Sequence, residues 1–589
     1  MFRALTSGRV AASALAFIAL LSLPSAGGSS AGDTITAPES SFSSAASGTT
    51  TWGQSGLVVS DSERASRIGR DVLRAGGNAV DGAVAAAFAL TVTFPWAGPI
   101  GGGGFAVVHL ADGSDLSLDF REVAPAGAQR DMYLDEKGEV APGRSLVTAL
   151  AVGVPGTVDG LIRLWQDHGS GALSLAEILA PSIRLARDGF VVGPGLAKRL
   201  EGKRDYLSAD PAAAAIFVKA DHWRPGDRLR QRDLARTLQR IAESGRAGFY
   251  EGPTSVAFLS KMQQEGGIVS REDLLEYRAV YRTPVRGTFR QFEVVSMGPP
   301  SSGGLLVLQM LAMFDLAHQD DWEWNSVPYL HLLTELQRRA YADRSVHLGD
   351  PDFWNVPMGP ILDPAYLRDR VETISWDRAT PSSEIEAGSF TEMSGIESDE
   401  TTHLAVVDEF GNAVSMTVTL NGGFGSGRVV AGTGVLLNNE MDDFSARPGS
   451  PNLYGLVGNE ANAIAPRKRM LSSMSPTLVL EAGEVRLVLG SPGGSRIINA
   501  VLQVLLNHLH FRMPIDQAVA APRMHAQWLP DKLFYESRAL APSTRATLRS
   551  MGHELEEFGA VGRVNAIARK DGIWWPAPDP RGDGMAAGY

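Results

Sequence analysis

Thr401 to Val407 and Ala413 to Asn421 alternate apolar and polar residues on either side of a short polar loop with one glycine, and this spacing predicts a β-hairpin. With a turn over Asp408 to Gly411 and Gly411 left-handed in the bulge that follows, Asp408 pairs with Asn412, Thr401 lies opposite Thr419, and His403 lies opposite Thr417. One face then carries Thr401, His403, Thr417, Thr419 and Asn421, and the other carries Leu404, Val406, Val414, Met416 and Val418. A slip of one residue would mix the two sets, so the pattern selects its own register. The hairpin places a threonine hydroxyl at the first position of a strand, with hydroxyl and amide side chains beside it.

The same patterning divides the rest of the chain. Ser60-Asp61-Ser62-Glu63 reads as a capping box opening a helix that stops at Gly76-Gly77, and the nearly all-apolar run Asn78 to Thr93 predicts a buried helix. Strands are expected after the glycines at 101–104 and over Leu116 to Phe120, and mostly helix from Ser174 to Ile241, opened by the capping box Ser174 to Glu177. An apolar helix is expected from Gly304 through Phe314 and a long one from Val327 to Val346. Residues 376–400 are polar and acidic and read as an exposed linker ending at the hairpin. Beyond the hairpin come a glycine-rich loop over 422–427, a long Pro/Gly/Asn segment through Gly458, a second hairpin from Thr477 to Leu489, and an amphipathic helix from Arg496 to Leu509.

Composition narrows the function classes. The chain has 589 residues, more than one ordinary core, and a net charge of −12, which excludes an extended phosphate-binding face and hence a nucleic-acid partner. Residues 1–31 carry Arg3 and Arg9, an apolar run and a small-residue end, the pattern of a secretory signal peptide and not of a stable membrane span. Residues 32–56 read as a flexible tether. With no cysteine there is no disulfide, thiol nucleophile or thiolate metal site, and a bacterial periplasmic or secreted location is expected.

A threonine hydroxyl needs a base, and its own α-amine serves when the preceding peptide bond is cut. The acidic stretch ending at Glu400 offers such a bond, and Gly493-Gly494 ahead of a helix offers two unobstructed N–H groups for an oxyanion. Thr401-Thr402-His403, Leu437 to Phe444, Leu471 to Pro476 and Gly490 to Arg496 resemble the signature segments of the γ-glutamyltranspeptidases, or glutathione hydrolases, of the N-terminal nucleophile superfamily. Leu118 to Glu122, Gly101 to Phe105, Pro299 to Gly304, Tyr341 to Arg344 and Ala587-Gly588-Tyr589 extend the resemblance from about Leu57 to the end of the chain.

The resemblance implies an α/β fold built as a four-layer αββα sandwich. It implies one precursor that cuts itself between Glu400 and Thr401 into a large subunit, 57–400, and a small subunit, 401–589, which stay together as a heterodimer. By the same resemblance Thr401 is the nucleophile, Thr419 its support, and Gly493 and Gly494 the oxyanion hole. Asn421, Glu440 and Asp443 would hold the α-amino group of a γ-glutamyl donor such as glutathione; Arg121, Ser472 and Ser473 would hold its α-carboxylate; and Tyr454 would close a lid over Met441 to Gly458. Amino acids, peptides or water would accept the γ-glutamyl group, with no metal and no cofactor.

A zwitterionic head does need an acidic set and an Arg-plus-hydroxyl set, which is what these residues supply. The chain departs from many relatives in having Gly422-Gly423 after the hairpin asparagine, where Thr or Ser is common, which would leave the acceptor side more open. Glu440 falls where the family varies between Gln and Glu. The rival readings are a cephalosporin (glutaryl) acylase of the same fold, whose substrate lacks the α-amine that Glu440 and Asp443 would meet, and a non-catalytic exported binding protein.

Overall fold

The computed structural model describes residues 52–319, 321–389, 401–447 and 460–589. Elements in chain order are β1 (Leu57–Ser60), α1 (Glu63–Arg74), α2 (Ala79–Thr93), β2 (Gly103–His109), β3 (Asp115–Asp119), α3 (Leu175–Asp188) and α4 (Pro194–Gly202). They continue with β4 (Val280–Arg282), β5 (Val285–Phe289), β6 (Phe292–Ser296), α5 (Gly303–Ala317), α6 (Val327–His347), β7 (Thr401–Val407) and β8 (Ala413–Thr419). After these come β9 (Thr477–Glu481), β10 (Glu484–Gly490), α7 (Arg496–Leu505), β11 (Asn565–Lys570), β12 (Ile573–Ala577) and β13 (Met585–Gly588); further short elements complete the described chain.

Two antiparallel sheets form the centre. The first runs β13-β1-β7-β8-β2-β3-β4 and the second β12-β11-β10-β9-β6-β5. Each sheet draws strands from both sides of residue 400, so neither part of the chain completes a sheet alone. Leu404, Val406, Val414, Met416 and Val418 pack outward with α1 and α2, while Ala405, Val407 and Ala413 point inward with Leu478, Val488 and Leu489 of the second sheet. Helices α5, α6 and α7 cover the far side of that sheet. The result is the four-layer αββα sandwich. Among the described residues no helix is long and apolar enough to cross a membrane.

The hairpin has the expected register: Thr401 pairs with Thr419 and His403 with Thr417, Asp408 N–H donates to Asn412 O at 3.1 Å, and Gly411 has φ +98°. Helix α2 is buried along its whole length, and Asp81 closes a capping box with Asn78.

Several expectations fail for local reasons. Ser60 does not cap α1, because it is held extended in β1 opposite Leu404 and Met585; Ser62 is the N-cap and makes no side-chain cap bond. The tether does not reach Leu57, since Gly53 pairs with Trp574 and the Gln54 and Ser55 N–H groups both donate to Tyr589 O. Residues 376–389 are docked rather than loose: Gly388 N–H donates to Asp343 Oδ1 at 2.9 Å, and Arg370 Nη1 donates to Glu386 O at 2.7 Å. Polar contacts hold this stretch, so apolar periodicity did not betray it. Helix α7 gives way at Leu506–His510 to a wider π-helical turn. The signal peptide, most of the tether, Glu400 and Tyr454 lie outside the described residues.

Candidate active site

Thr401 begins β7 inside the first sheet and is 3% exposed. Strand alternation turns its side chain toward the second sheet, on the face of His403 and Thr417, whose Nδ1 and Oγ1 stand 2.9 Å apart. A Cβ on Gly490 would come within 2.4 Å of the His403 ring, so β10 reaches β7 only because residue 490 is glycine. Burial pushes the His403 imidazole down to about 3 and keeps it neutral. Three residues past Gly490 the chain turns through Gly493 (φ +135°) and Gly494 (φ +55°), conformations that favour glycine, before α7 begins. Neither glycine N–H has a backbone acceptor among the described residues, so both are available as donors where the two sheets meet.

The far end of the hairpin is tied to the acidic turn. Asn421, with φ +69°, donates its backbone N–H to Thr419 Oγ1 at 2.8 Å and its side-chain Nδ2 to Asn439 O at 2.9 Å. Its buried Oδ1 has no partner among the described residues. Asn439 Oδ1 accepts from Gly422 N–H at 2.8 Å. Asn438 bridges three segments, donating to Gly101 O and Gly153 O while its own oxygen accepts from Gly153 N–H. Asn438 and Asn439, to which sequence reasoning gave no role, set the 3-10 turn Glu440–Asp443 against the hairpin.

That turn meets Arg121, which follows β3 and is 1% exposed. The guanidinium donates to Glu440 and to Asp443, and also to Met470 O and Leu471 O at 3.4 and 3.3 Å, which brings it beside Ser472 and Ser473. Asp119 does not take the guanidinium; it accepts the Arg121 backbone N–H and pairs with Arg282 at 2.7 Å. Ser472 Oγ accepts from Met474 N–H at 3.2 Å, while the buried Ser473 hydroxyl has no partner among the described residues.

Glu122 is a further group that the motifs did not single out. It is wholly buried against Gly102 and Gly103, and burial, with the Glu440 charge beside it, raises its carboxyl well above the usual range. Three carboxyl groups, those of Glu122, Glu440 and Asp443, thus stand around the Arg121 guanidinium.

The start of the expected lid is part of the core. Met441 and Phe444 are buried with Tyr133, Ile464 and Met470, and Ser145 Oγ donates to Asp442. Elsewhere, His331, Glu335 and His553 place ligand-type atoms within 4.8 Å of one another. Glu335 already accepts from Arg338, Arg339 and Thr380 N–H, and two guanidiniums on its carboxylate oppose a cation there.

The fold and this constellation agree with the comparisons. The Gamma-glutamyltranspeptidase family model matches residues 65–589. The glutathione hydrolase proenzyme of Escherichia coli strain K12 is 43% identical over 91% of this chain and 92% of its own length. That of Pseudomonas aeruginosa is 44% identical over 90% and 94%. The crystal structure of a cephalosporin acylase from Bacillus halodurans superimposes with a TM-score of 0.81 at 27% identity, over 94% of this chain and 99% of the other. A buried threonine at the start of a central strand, an arginine held between two acids, and similarity along nearly the whole length coincide in one molecule, and the chain belongs to the γ-glutamyltranspeptidase family.

Proposed function

We propose that the chain is a proenzyme that cuts its own Glu400–Thr401 bond and then hydrolyses glutathione and related γ-glutamyl compounds, or transfers their γ-glutamyl group. In the first reaction the Thr401 hydroxyl attacks the Glu400 carbonyl and the peptide bond becomes an ester. Water then hydrolyses the ester, leaving the Glu400 carboxylate and a free Thr401 α-amine. In the second reaction that amine takes the hydroxyl proton as Oγ attacks the γ-carbonyl of the donor. The Gly493 and Gly494 N–H groups stabilise the tetrahedral oxyanion, and the protonated amine returns its proton to the leaving nitrogen. Water or an acceptor amine releases the γ-glutamyl ester.

The observation that carries this reading is the buried Arg121–Glu440–Asp443 cluster next to the hairpin that bears Thr401. A donor head bears the same two charges in the opposite sense. Its ammonium replaces Arg121 on the acids, with Asn421 Oδ1 as a further acceptor, and its carboxylate takes Arg121 with the Ser473 hydroxyl. A glutaryl substrate has no ammonium to make that exchange, and two glutathione hydrolase proenzymes are 43 and 44% identical to the chain where an acylase proenzyme of Pseudomonas is 37% identical. We assign export through the segment 1–31 and two fragments, 32–400 and 401–589, held together by sheets that draw strands from both.

N-terminal sequencing of the smaller fragment tests the proposal. It should begin at Thr401, and Thr401→Ala should remain a single chain without γ-glutamyl hydrolysis. A different first residue, or efficient cutting of Thr401→Ala, refutes it.

A further inference from the structure

Strand β1 stops at Ser60, which pairs with Leu404, whereas β7 begins earlier, at Thr401. The ladder with β8 therefore holds Thr401, Thr402 and His403 from one side, and among the described residues no strand pairs with them on the other. Side chains take the place of the missing rungs. Asp61, in the turn between β1 and α1, accepts the Thr402 hydroxyl on Oδ2 at 2.8 Å. Asn565, the first residue of β11 in the second sheet, donates its Nδ2 to His403 O at 3.0 Å and stands 3.4 Å from Asp61 Oδ1.

This clamp is closed to solvent. Asp61, Thr402 and Asn565 are all buried, and a Cβ on Gly584 would stand 3.1 Å from both Asn565 Oδ1 and Ser60 O. Arg563, with Nε 4.0 Å from Asp61 Oδ1, supplies an opposite charge. A carboxylate is costly to bury, and an amide would serve to tie two segments together. What the carboxylate adds is two acceptor oxygens and no donor. The Thr402 hydroxyl must then point at Asp61, and the Asn565 amide must turn its nitrogen toward Asp61 and His403 O.

The Thr402 side chain faces away from that of Thr401, so Asp61 does not enter the reaction. It fixes the peptide unit that the two residues share, and with it the direction in which Thr401 presents its hydroxyl. In the uncut chain Thr401 is held as well through its bond to residue 400. Once that bond is gone the nucleophile is an end residue, restrained along its backbone by β8 and by the clamp. The Asp61–Thr402 bond then joins the two fragments one residue from the new terminus.

We propose that Asp61, acting through Thr402 and together with Asn565, is a positioning residue for turnover, which keeps the cut end of β7 aligned so that Thr401 Oγ1 meets the donor carbonyl in attacking geometry. The proposal rests on the γ-glutamyl reading of Thr401. Misplacement by about 1 Å at a reacting centre lowers a rate by up to roughly a hundredfold. The clamp should govern kcat and not donor binding, which that reading gives to Arg121, Glu440 and Asp443.

The test is hydrolysis of γ-glutamyl-p-nitroanilide by wild type, Thr402→Val, Thr402→Ser, Asp61→Asn and the Asp61→Asn/Thr402→Val double variant, with rates expressed per processed chain. Valine keeps the branched shape that suits a strand and loses only the hydroxyl. Thr402→Val should lower kcat about tenfold with KM within about twofold, while Thr402→Ser, which keeps the hydroxyl, stays within about threefold of wild type. Asp61→Asn should also lower kcat, and the two losses should not multiply in the double variant, because both weaken one contact. Self-cleavage of Thr402→Val, followed on a denaturing gel, should slow by less than about threefold, since the uncut chain holds Thr401 from both sides. Four results overturn the clamp: a lower Tm with kcat per processed chain unchanged, a loss carried by KM, losses that multiply, or self-cleavage impaired as strongly as turnover. If wild type releases no nitroaniline, the γ-glutamyl reading fails and the clamp with it, whereas a Thr402→Val enzyme with wild-type kcat removes the clamp and leaves that reading standing.

Discussion

Asp443→Asn separates recognition of the donor ammonium from every other role of the acidic turn. The change keeps the shape of the side chain and removes one charge from a buried cluster in which Arg121 is held by both Glu440 and Asp443. Wild type presents the carboxylates of Glu440 and Asp443 to the Arg121 guanidinium, and an incoming ammonium can take either. In the variant the ammonium must compete with Arg121 for Glu440. A hydrogen bond to a charged group contributes about 1.5 to 3 kcal/mol, which converts to a roughly ten- to 150-fold loss in kcat/KM for a γ-glutamyl donor.

The control is a glutaryl donor with the same leaving group, which differs only in lacking the α-amine. Its kcat/KM should fall by less than about threefold, because the variant retains Arg121 for the carboxylate and leaves the Thr401 hairpin untouched. Self-cleavage should proceed at the wild-type rate, and a denaturing gel checks this in the same preparations. Equal losses on the two donors would refute the assignment, since Asp443 would then be supporting the fold of the turn and not binding the ammonium.

Two further expectations follow from buried groups at the site. Ser473→Ala deletes a buried hydroxyl that has no partner among the described residues, so thermal stability should hold or rise while KM for a γ-glutamyl donor increases about tenfold; a lower Tm with unchanged KM would refute its contact with the carboxylate. His403 titrates near 6.5 when unfolded and at about 3 in the fold, so between these values unfolding takes up a proton that the native state refuses, and stability is complete above pH 6.5 and declines as pH falls. Urea unfolding of His403→Gln should therefore lose about 1.6 kcal/mol less than wild type between pH 6.5 and 5, and identical losses would show that the imidazole is not the group responsible.

The hairpin was legible in the sequence because two rules act on the same residues: Gly411 fixes the turn and strict alternation fixes the faces. Helix α2 was legible for a similar reason, an unbroken apolar run behind an asparagine cap. What escaped was held by polar atoms from distant segments. Asn438 ties together residues 101, 153 and 440, and no local pattern encodes a side chain whose partners lie hundreds of positions away. Residues 376–389 looked loose because their contacts are hydrogen bonds to buried charges on α6, which apolar periodicity cannot register.

The placement of Thr401 also bears on why a cut there can activate the site and still leave it intact. Strand β7 lies between β1 and β8, so losing the bond before its first residue removes no rung of either ladder. On the proposed cut the α-amine would arise at a position 3% exposed, where desolvation lowers the affinity of an amine for its proton below the value of about 8 that a free terminus has. A base must be neutral before attack and protonated after it, so an amine whose hold on its proton is lowered toward neutral pH serves better there than a fully solvated one.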